Sequence, residues 1–248
     1  MKKIMTLAAI FAAVAMTFSA CNKEDKPAND NGGNNTENNG GEENQEPEYV
    51  NPIAIDGNFE DWDALTNAVS ATCAADHSKP ALKTLKAYAD EYFLNVYVEW
   101  DEENVPTYAE DGGNPLMLCF CGNPDNGGYD AFSDLCVEYM CFAQPVDATG
   151  AFINWNDAVY AWVGDLHAAG WAWDVALEDL QATGMGSGNK YEIAIMMDVL
   201  KSIMDLDGKI LLGAMQQVAW NSQGVLPNAE VSEENPTGTA PMLEVPIN

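Results

Sequence analysis

The sequence contains no arginine, and its fixed positive charges are ten lysines among 248 residues. Against them stand 39 aspartates and glutamates, which give a formal net charge of −29. Nucleic-acid recognition depends on dense basic patches in which arginine is prominent, so the composition argues against this class of protein. It argues equally against attachment to anionic lipid through a polybasic face. The hydrophobic share of 47% nevertheless predicts a folded protein.

A long hydrophobic run that could cross a membrane is also missing. The apolar stretch at residues 4–18 has 15 residues and follows Lys2 and Lys3, which is typical of a removable export signal. It ends in Phe18-Ser19-Ala20-Cys21, which resembles the lipobox of bacterial lipoproteins, with Phe18 in place of the usual leucine. The resemblance implies a signal peptide at residues 1–20 and lipidation of Cys21. An ordinary secretory signal is the alternative.

The residues after Cys21 suggest on which side of the membrane the protein lies. Asn22-Lys23-Glu24-Asp25 resembles the surface-export signal of Bacteroidetes lipoproteins. That resemblance implies an outer-membrane lipoprotein exposed at the cell surface. An inward-facing periplasmic lipoprotein is the alternative.

The next segment is predicted to be a tether. Residues 22–48 contain no aromatic side chain, and Ala28 is their one apolar residue, so they cannot bury enough surface to fold. We therefore divide the chain into a signal peptide at 1–20, a lipidated disordered linker at 21–48 and a folded domain at 49–248. The domain carries 31 acidic residues against six lysines, a net charge of −25, so the acidity belongs mainly to the folded part.

Alternating polar and apolar residues predict an all-β domain. In residues 93–100, Leu94, Val96, Val98 and Trp100 fall on one face of a strand, and Phe93, Asn95, Tyr97 and Glu99 fall on the other. A short helix is predicted at 197–204. Many short strands favour an antiparallel sandwich of the jelly-roll or immunoglobulin-like type. The predicted strands are 83–89, 93–100, 116–121, 135–142, 157–163, 170–177, 191–196, 210–220 and 242–247.

Four short blocks of the domain, taken in order, resemble family 9 carbohydrate-binding modules and the related DOMON-like sandwiches. The first runs from Ile53 to Trp62 and contains Asp56-Gly57 and Asp61-Trp62. The second is the hairpin at 87–98, and the third is the strand at 118–126 that ends in Asn-Pro-Asp-Asn. The fourth is Tyr191-Glu192-Ile193-Ala194-Ile195, where Met196 replaces the usual proline. The resemblance implies a sandwich fold and a saccharide ligand.

Aromatic side chains in polar surroundings are the candidate binding residues, because the apolar C–H faces of sugars stack on exposed rings. Trp155 lies between asparagines, Tyr160 and Trp162 share a strand face, and Trp220 precedes a polar turn. Ordinary packing of these aromatics in a sandwich core is the alternative. The predicted stacking residues are Trp155, Tyr160, Trp162 and Trp220, with Asn154, Asn156, Asp157 and Asn221 as partners of the sugar hydroxyls.

Two kinds of metal site remain open from the sequence. Asp125, Asn126 and Asp130 lie in one glycine-rich turn and offer the oxygen ligands that calcium prefers, although acidic turns also arise by chance in so acidic a chain. Once Cys21 carries lipid, five cysteines remain: Cys73, Cys119, Cys121, Cys136 and Cys141. Their spacing leaves open a disulfide of unknown pairing, a zinc site of unusual spacing, or thiols buried in the core.

Catalytic motifs are not apparent. His77 and His167 are the two histidines, and no nucleophile elbow accompanies them. We expect a non-catalytic lipoprotein that binds an oligo- or polysaccharide, with neutral sugars favoured by the acidic surface. Partners in glycan uptake at the outer membrane fit this picture. The alternatives are a structural or protein-binding lipoprotein and, less favoured, a DOMON-like haem domain that pairs His77 or His167 with Met140, Met196, Met215 or Met242.

Overall fold

The structure is a computed structural model. It describes residues 49–105, 116–129, 135–144, 153–163, 170–219 and 221–248, with only the backbone at 129, 143–144, 153–157, 163 and 170–174. The predicted signal peptide, lipidated Cys21 and tether lie outside these residues. Neither helix within the described ranges is long and apolar enough to cross a membrane.

The described part of the chain consists of short strands and two short helices. The helices are α1 at Glu60–Ala64 and α2 at Met197–Ile203. The strands are β1 Val69–Thr72, β2 Leu82–Ala89, β3 Phe93–Trp100, β4 Leu116–Cys121, β5 Gly128–Tyr129, β6 Cys136–Val137, β7 Tyr139–Gln144, β8 Ile153–Val163, β9 Gly170–Leu177, β10 Ala182–Ser187, β11 Lys190–Met196, β12 Lys209–Val218, β13 Asn221–Leu226 and β14 Leu243–Pro246.

Two antiparallel sheets form the body of the fold. The first has the order β1-β2-β3-β11-β10, and the second has the order β13-β12-β4-β7-β8-β9. Strand β14 pairs with the start of β12 on the edge that β13 occupies further along. Strands β5 and β6 form a separate two-stranded ladder.

The main core lies between the two sheets. Alternate residues of β3, from Leu94 to Trp100, face alternate residues of β4 such as Leu118 and Phe120 in one buried cluster. A hydrogen bond also crosses this layer, because Trp100 Nε1 donates to Gln216 Oε1 at 2.9 Å. The burial of large apolar side chains from both sheets is the main force that holds such a sandwich together.

The second sheet is also covered on its outer face. The other alternate residues of β4, Met117, Cys119 and Cys121, belong to a second buried cluster together with Leu135 and Val137 from the β5–β6 region. Every residue of β4 is therefore buried. A continuous apolar strand such as Leu-Met-Leu-Cys-Phe-Cys is what a position between two apolar layers requires.

The structure confirms the predicted all-β antiparallel sandwich and the two faces of β3. The predicted helix at 197–204 corresponds to α2, and α1 is an additional short helix that begins inside the block at 53–62 and ends two residues after it. Strands β1, β5, β10 and β13 were not predicted. Their sequences are short or glycine-containing, and β1 and β10 are edge strands, where pairing on one side suffices.

Candidate functional site

The N-terminal segment of the domain crosses the outer face of the first sheet. The side-chain amides of Asn51 and Asn95 form a reciprocal pair, with Asn51 Nδ2 donating to Asn95 Oδ1 at 3.0 Å and Asn95 Nδ2 donating to Asn51 Oδ1 at 3.2 Å. Further along, Ile53 and Trp62 pack on Tyr97 in a buried cluster of their own. The face that alternation assigns to solvent is therefore partly buried by this segment.

Glu192 fastens the segment to the sheet. Its Oε1 accepts hydrogen bonds from the backbone N–H of Asp56 at 2.9 Å and of Gly57 at 2.7 Å, and its Oε2 accepts from Trp62 Nε1 at 3.2 Å. Gly57 has a φ of +80°, and a Cβ there would approach Met185 Cγ at 3.1 Å, so glycine is needed at this contact. Two of the blocks that carry the family resemblance thus meet at one buried carboxylate.

The protonation of Glu192 should make stability depend on pH. Burial raises the pKa of this carboxyl above its ordinary value of 4.5, although the hydrogen bonds from Gly57, Asp56 and Trp62 act in the opposite direction. The native state then binds the proton more tightly than the unfolded chain, so the contribution of Glu192 to stability is greatest at low pH and falls as pH rises through the raised value.

The variant Glu192→Gln isolates this effect, because it removes the titration and keeps the size of the side chain. We expect the unfolding free energy of the wild type, minus that of the variant, to decrease as pH rises above 4.5. Urea unfolding of both proteins across this range measures the difference. A difference that grows with pH would contradict the raised pKa.

A pocket of about 200 Å³ opens beside this segment, where α1 meets the first sheet. The aromatic rings of Phe59 and Tyr97 meet edge to face, with centroids 5.6 Å apart. Lys86 Nζ lies 5.1 Å from the centroid of the Tyr97 ring, and Lys190 Nζ lies 5.8 Å from that of Phe59. The lining residues are Asn58, Phe59, Glu60, Asp63, Lys86, Tyr97 and Lys190.

Strand register explains why these side chains meet. Lys86 on β2 pairs with Tyr97 on β3, and Tyr97 pairs with Glu192 on β11, so the three form one row across the outer face. Lys190 pairs with Glu99 in the neighbouring row. Side chains directly opposite each other on one face of a sheet are close enough to interact.

The pocket combines two cations, two anions and an aromatic wall. Lys86 Nζ lies 3.5 Å from Asp63 Oδ1, so one pair of charges is already matched across the opening. Burial, reinforced by Glu99, raises the pKa of the Tyr97 phenol, whose O–H donates to Glu99 Oε2 at 3.3 Å. The phenol therefore stays neutral, and the pocket offers donors and acceptors to a ligand without a strong net charge.

The predicted stacking residues of β8 lie elsewhere, and two of them are buried. Tyr160 is 7% exposed and Trp162 is 8% exposed. Both belong to the cluster on the outer face of the second sheet, where Phe142 and Tyr160 have ring centroids 5.9 Å apart. This burial favours a packing role for Tyr160 and Trp162 over a stacking role.

The remaining predicted binding residues are only partly described. Trp220 and the side chains of Asn154, Trp155, Asn156 and Asp157 lie outside the described residues, so their role stays a prediction. Asn221 is exposed at the start of β13, and its Nδ2 donates to the carbonyl of Ala219 at 2.9 Å.

The predicted metal ligands can be placed in part. Asp125 and Asn126 are exposed in the turn after β4, and Asp130 lies outside the described residues. The five cysteines of the domain are thiols, and no group of three acidic, histidine or cysteine side chains suited to a metal occurs within the described ranges.

Of the predicted haem ligands, Met140, Met215 and Met242 are buried, as is His77, whose Nδ1 accepts from the Lys79 N–H. His167 falls outside the described part, and Met196 is half-buried.

The pocket residues were not predicted from the sequence, although a signal for some of them existed. Alternation places Tyr97 and Glu99 on the polar face of β3, and a tyrosine on a polar face is a candidate ligand contact. What the sequence does not reveal is that α1 brings Phe59 and Asp63 to the same place.

No protein-family model matches the chain, and no curated protein matches it.

Proposed function

We propose that this chain is a surface-anchored, non-catalytic lipoprotein whose β-sandwich binds a saccharide. The observation that carries the proposal is the pocket in which the rings of Phe59 and Tyr97 lie among amide, carboxylate and ammonium groups. Sugars present apolar C–H faces and a rim of hydroxyls, and they need both kinds of contact at once. The lipid anchor rests on the lipobox-like sequence that ends at Cys21.

The ring of Phe59 is the expected stacking surface. It is half-buried, whereas Tyr97 is almost completely buried, so Phe59 has more ring surface to offer a ligand. Asn58, Glu60 and Lys190 lie around it and can exchange hydrogen bonds with hydroxyl groups. Because the charges in the pocket nearly balance, a neutral saccharide fits better than an anionic one.

The size of the pocket limits how much of a saccharide it can hold. Its volume of about 200 Å³ is below the roughly 300–1,000 Å³ of sites for drug-sized ligands. We therefore expect the pocket to take one sugar unit, with the rest of the chain in solvent, and the affinity of a single site to be modest.

Binding can be measured with the full chain in native gels that contain soluble neutral glucans, mannans or xylans. The Phe59→Ala variant is expected to weaken the binding of a retarding polysaccharide at least tenfold, about 1.4 kcal/mol, since it removes the stacking surface. Tyr92→Ala is a matched control, because Tyr92 is an exposed aromatic that does not line the pocket.

A third variant separates the two candidate sites. Loss of retardation in Trp155→Ala, with Phe59→Ala unchanged, would place the saccharide on β8 and reject the pocket. The variant Lys190→Met is a second probe of the pocket, because it keeps the apolar stem of the side chain and removes the ammonium donor. If no polysaccharide retards the wild type, the glycan-binding role is contradicted.

A second candidate function, binding of another outer-membrane protein, is favoured by an exposed aromatic patch. Tyr49 is 37% exposed, Val50 is 79% exposed and Tyr92 is 46% exposed, and the rings of Tyr49 and Tyr92 lie 4.2 Å apart. Tyrosine is enriched at protein interfaces. Cross-linking in intact cells, with Tyr92→Ala as the disrupting variant and Phe59→Ala as the control, tests this alternative.

A further inference from the structure

Two cysteines from separate strands lie near the end of β4, a central strand of the second sheet. Cys121 is the last residue of β4, and Cys136 is the first residue of β6. Cys121 belongs to the buried cluster on the outer face of the second sheet, Cys136 packs against the same cluster, and the Cys136 thiol donates to the Pro124 carbonyl at 3.9 Å. Cys121 is fully buried, whereas Cys136 is half-buried, so one member of the pair is open to a reagent from solvent.

The surrounding backbone holds this pair in place. Glu138 Oε2 accepts hydrogen bonds from the N–H of Gly122 at 3.0 Å and of Asn123 at 3.2 Å, which ties the end of β4 to the residues after β6. The backbone N–H of Glu138 also donates to the carbonyl of Phe120 at 3.0 Å. A Cβ at Gly127 would lie 3.3 Å from Cys136 Sγ and 2.8 Å from the Val137 carbonyl oxygen, so this turn packs tightly on β6.

We propose that Cys121 and Cys136 form a disulfide when the chain meets a small-molecule or protein disulfide, and that this bond fixes the β5–β6 ladder over the outer face of the second sheet. The ladder contacts that face at two points. Gly128 of β5 lies against the indole of Trp162, and Leu135, the residue directly before β6, lies against Gly213 of β12. The proposal is independent of saccharide binding, since the pocket lies on the first sheet.

The two thiols have different roles in the reaction. The neighbouring Cys121 thiol lowers the pKa of Cys136, whereas the interaction with Cys136, together with burial, raises the pKa of Cys121. Both burial and the carboxylate of Glu138 oppose the lowering at Cys136. Because Cys136 is half-buried and Cys121 is fully buried, Cys136 is the attacking thiolate and Cys121 is the resolving thiol, and the directions of the two pKa shifts agree with these roles.

The chemistry is a double thiol–disulfide exchange. The Cys136 thiolate attacks one sulfur of the external disulfide, whose S–S bond breaks and releases one thiol. Cys121 then loses its proton and attacks the Cys136 sulfur of the mixed disulfide, which releases the second thiol. Two protein thiols are oxidised and one external disulfide is reduced, so no other electron acceptor is needed.

The experiment labels the cysteines of the full chain in two steps. The reduced protein is incubated with oxidised glutathione, denatured, alkylated with iodoacetamide, then reduced and treated with N-ethylmaleimide. Peptide mass spectrometry should find N-ethylmaleimide on Cys121 and Cys136, and iodoacetamide on Cys73, Cys119 and Cys141. Iodoacetamide on both Cys121 and Cys136, or a bond from either one to another cysteine, would overturn the proposal.

Two variants test the order of attack. In Cys121→Ser the resolving thiol is gone, so Cys136 should accumulate as a stable mixed disulfide with glutathione. In Cys136→Ser the buried Cys121 should stay unmodified over the same time. The reverse pattern would overturn the assignment of Cys136 as the attacking group. Cys119→Ser is the matched control, because it changes a buried cysteine of the same strand and should leave the Cys121–Cys136 bond intact.

Discussion

Replacing Glu192 by alanine is expected to lower the free energy of unfolding by about 3 kcal/mol. The substitution leaves three donors, the N–H groups of Asp56 and Gly57 and the Trp62 indole, without their acceptor. The buried Trp62 indole N–H costs about 1–3 kcal/mol when it loses its partner, and the two part-buried backbone N–H groups add to this, although water can reach them if the segment lifts. Urea unfolding followed by circular dichroism measures the loss.

We expect Glu192→Ala to loosen the N-terminal segment of the domain before it unfolds the domain as a whole. Amide hydrogen exchange at Asp56 and Gly57 is expected to accelerate at least tenfold in Glu192→Ala, because their N–H groups lose the acceptor that protects them. Glu244→Ala is the control, since Glu244 is an exposed carboxylate that forms a surface ion pair with Lys209, and it should cost less than about 1 kcal/mol. Equal losses in the two variants would mean that Glu192 does not fasten the segment.

The same segment shows how much of the fold can be predicted from sequence patterns. The alternation in β3 predicted correctly that Leu94 and Val96 face the core, because the period of a strand fixes which side chains share a face. It did not predict that Asn95 on the opposite face is completely buried. That burial depends on a contact with Asn51, 44 residues earlier in the chain, and alternation contains no information about such a partner.

The candidate site shows the same limit. Tyr160 and Trp162 were expected to share a strand face, and both lie in the cluster on the outer face of the second sheet. A sequence pattern identifies residues on one face, but it does not say whether another layer covers that face. Here the cover comes from Leu135 and Val137, which lie in the predicted strand at 135–142, and from Gly128, which lies in a turn-like stretch, and neither pattern shows that these residues pack on β8.

A substitution at Gly128 tests how closely this cover packs, and we expect Gly128→Ala to lower the free energy of unfolding by about 3 kcal/mol. The added Cβ would lie only 1.8 Å from Trp162 Nε1 and 2.5 Å from two ring carbons. The indole is rigid and almost completely buried, so it cannot move aside as a flexible side chain would. Either the β5–β6 ladder must lift or Trp162 must leave its place, and both expose apolar surface.

Two further variants separate this clash from the general cost of changing a glycine. Gly208→Ala replaces another glycine, but nothing lies within 4 Å of its Cβ, so its cost comes from a φ of +67° and should be about 1 kcal/mol. In Trp162→Leu the clashing ring is absent, so adding Gly128→Ala should cost much less than it does in the wild type. Additive losses in this double-mutant cycle, measured by urea unfolding, would show that Gly128 and Trp162 do not pack against each other.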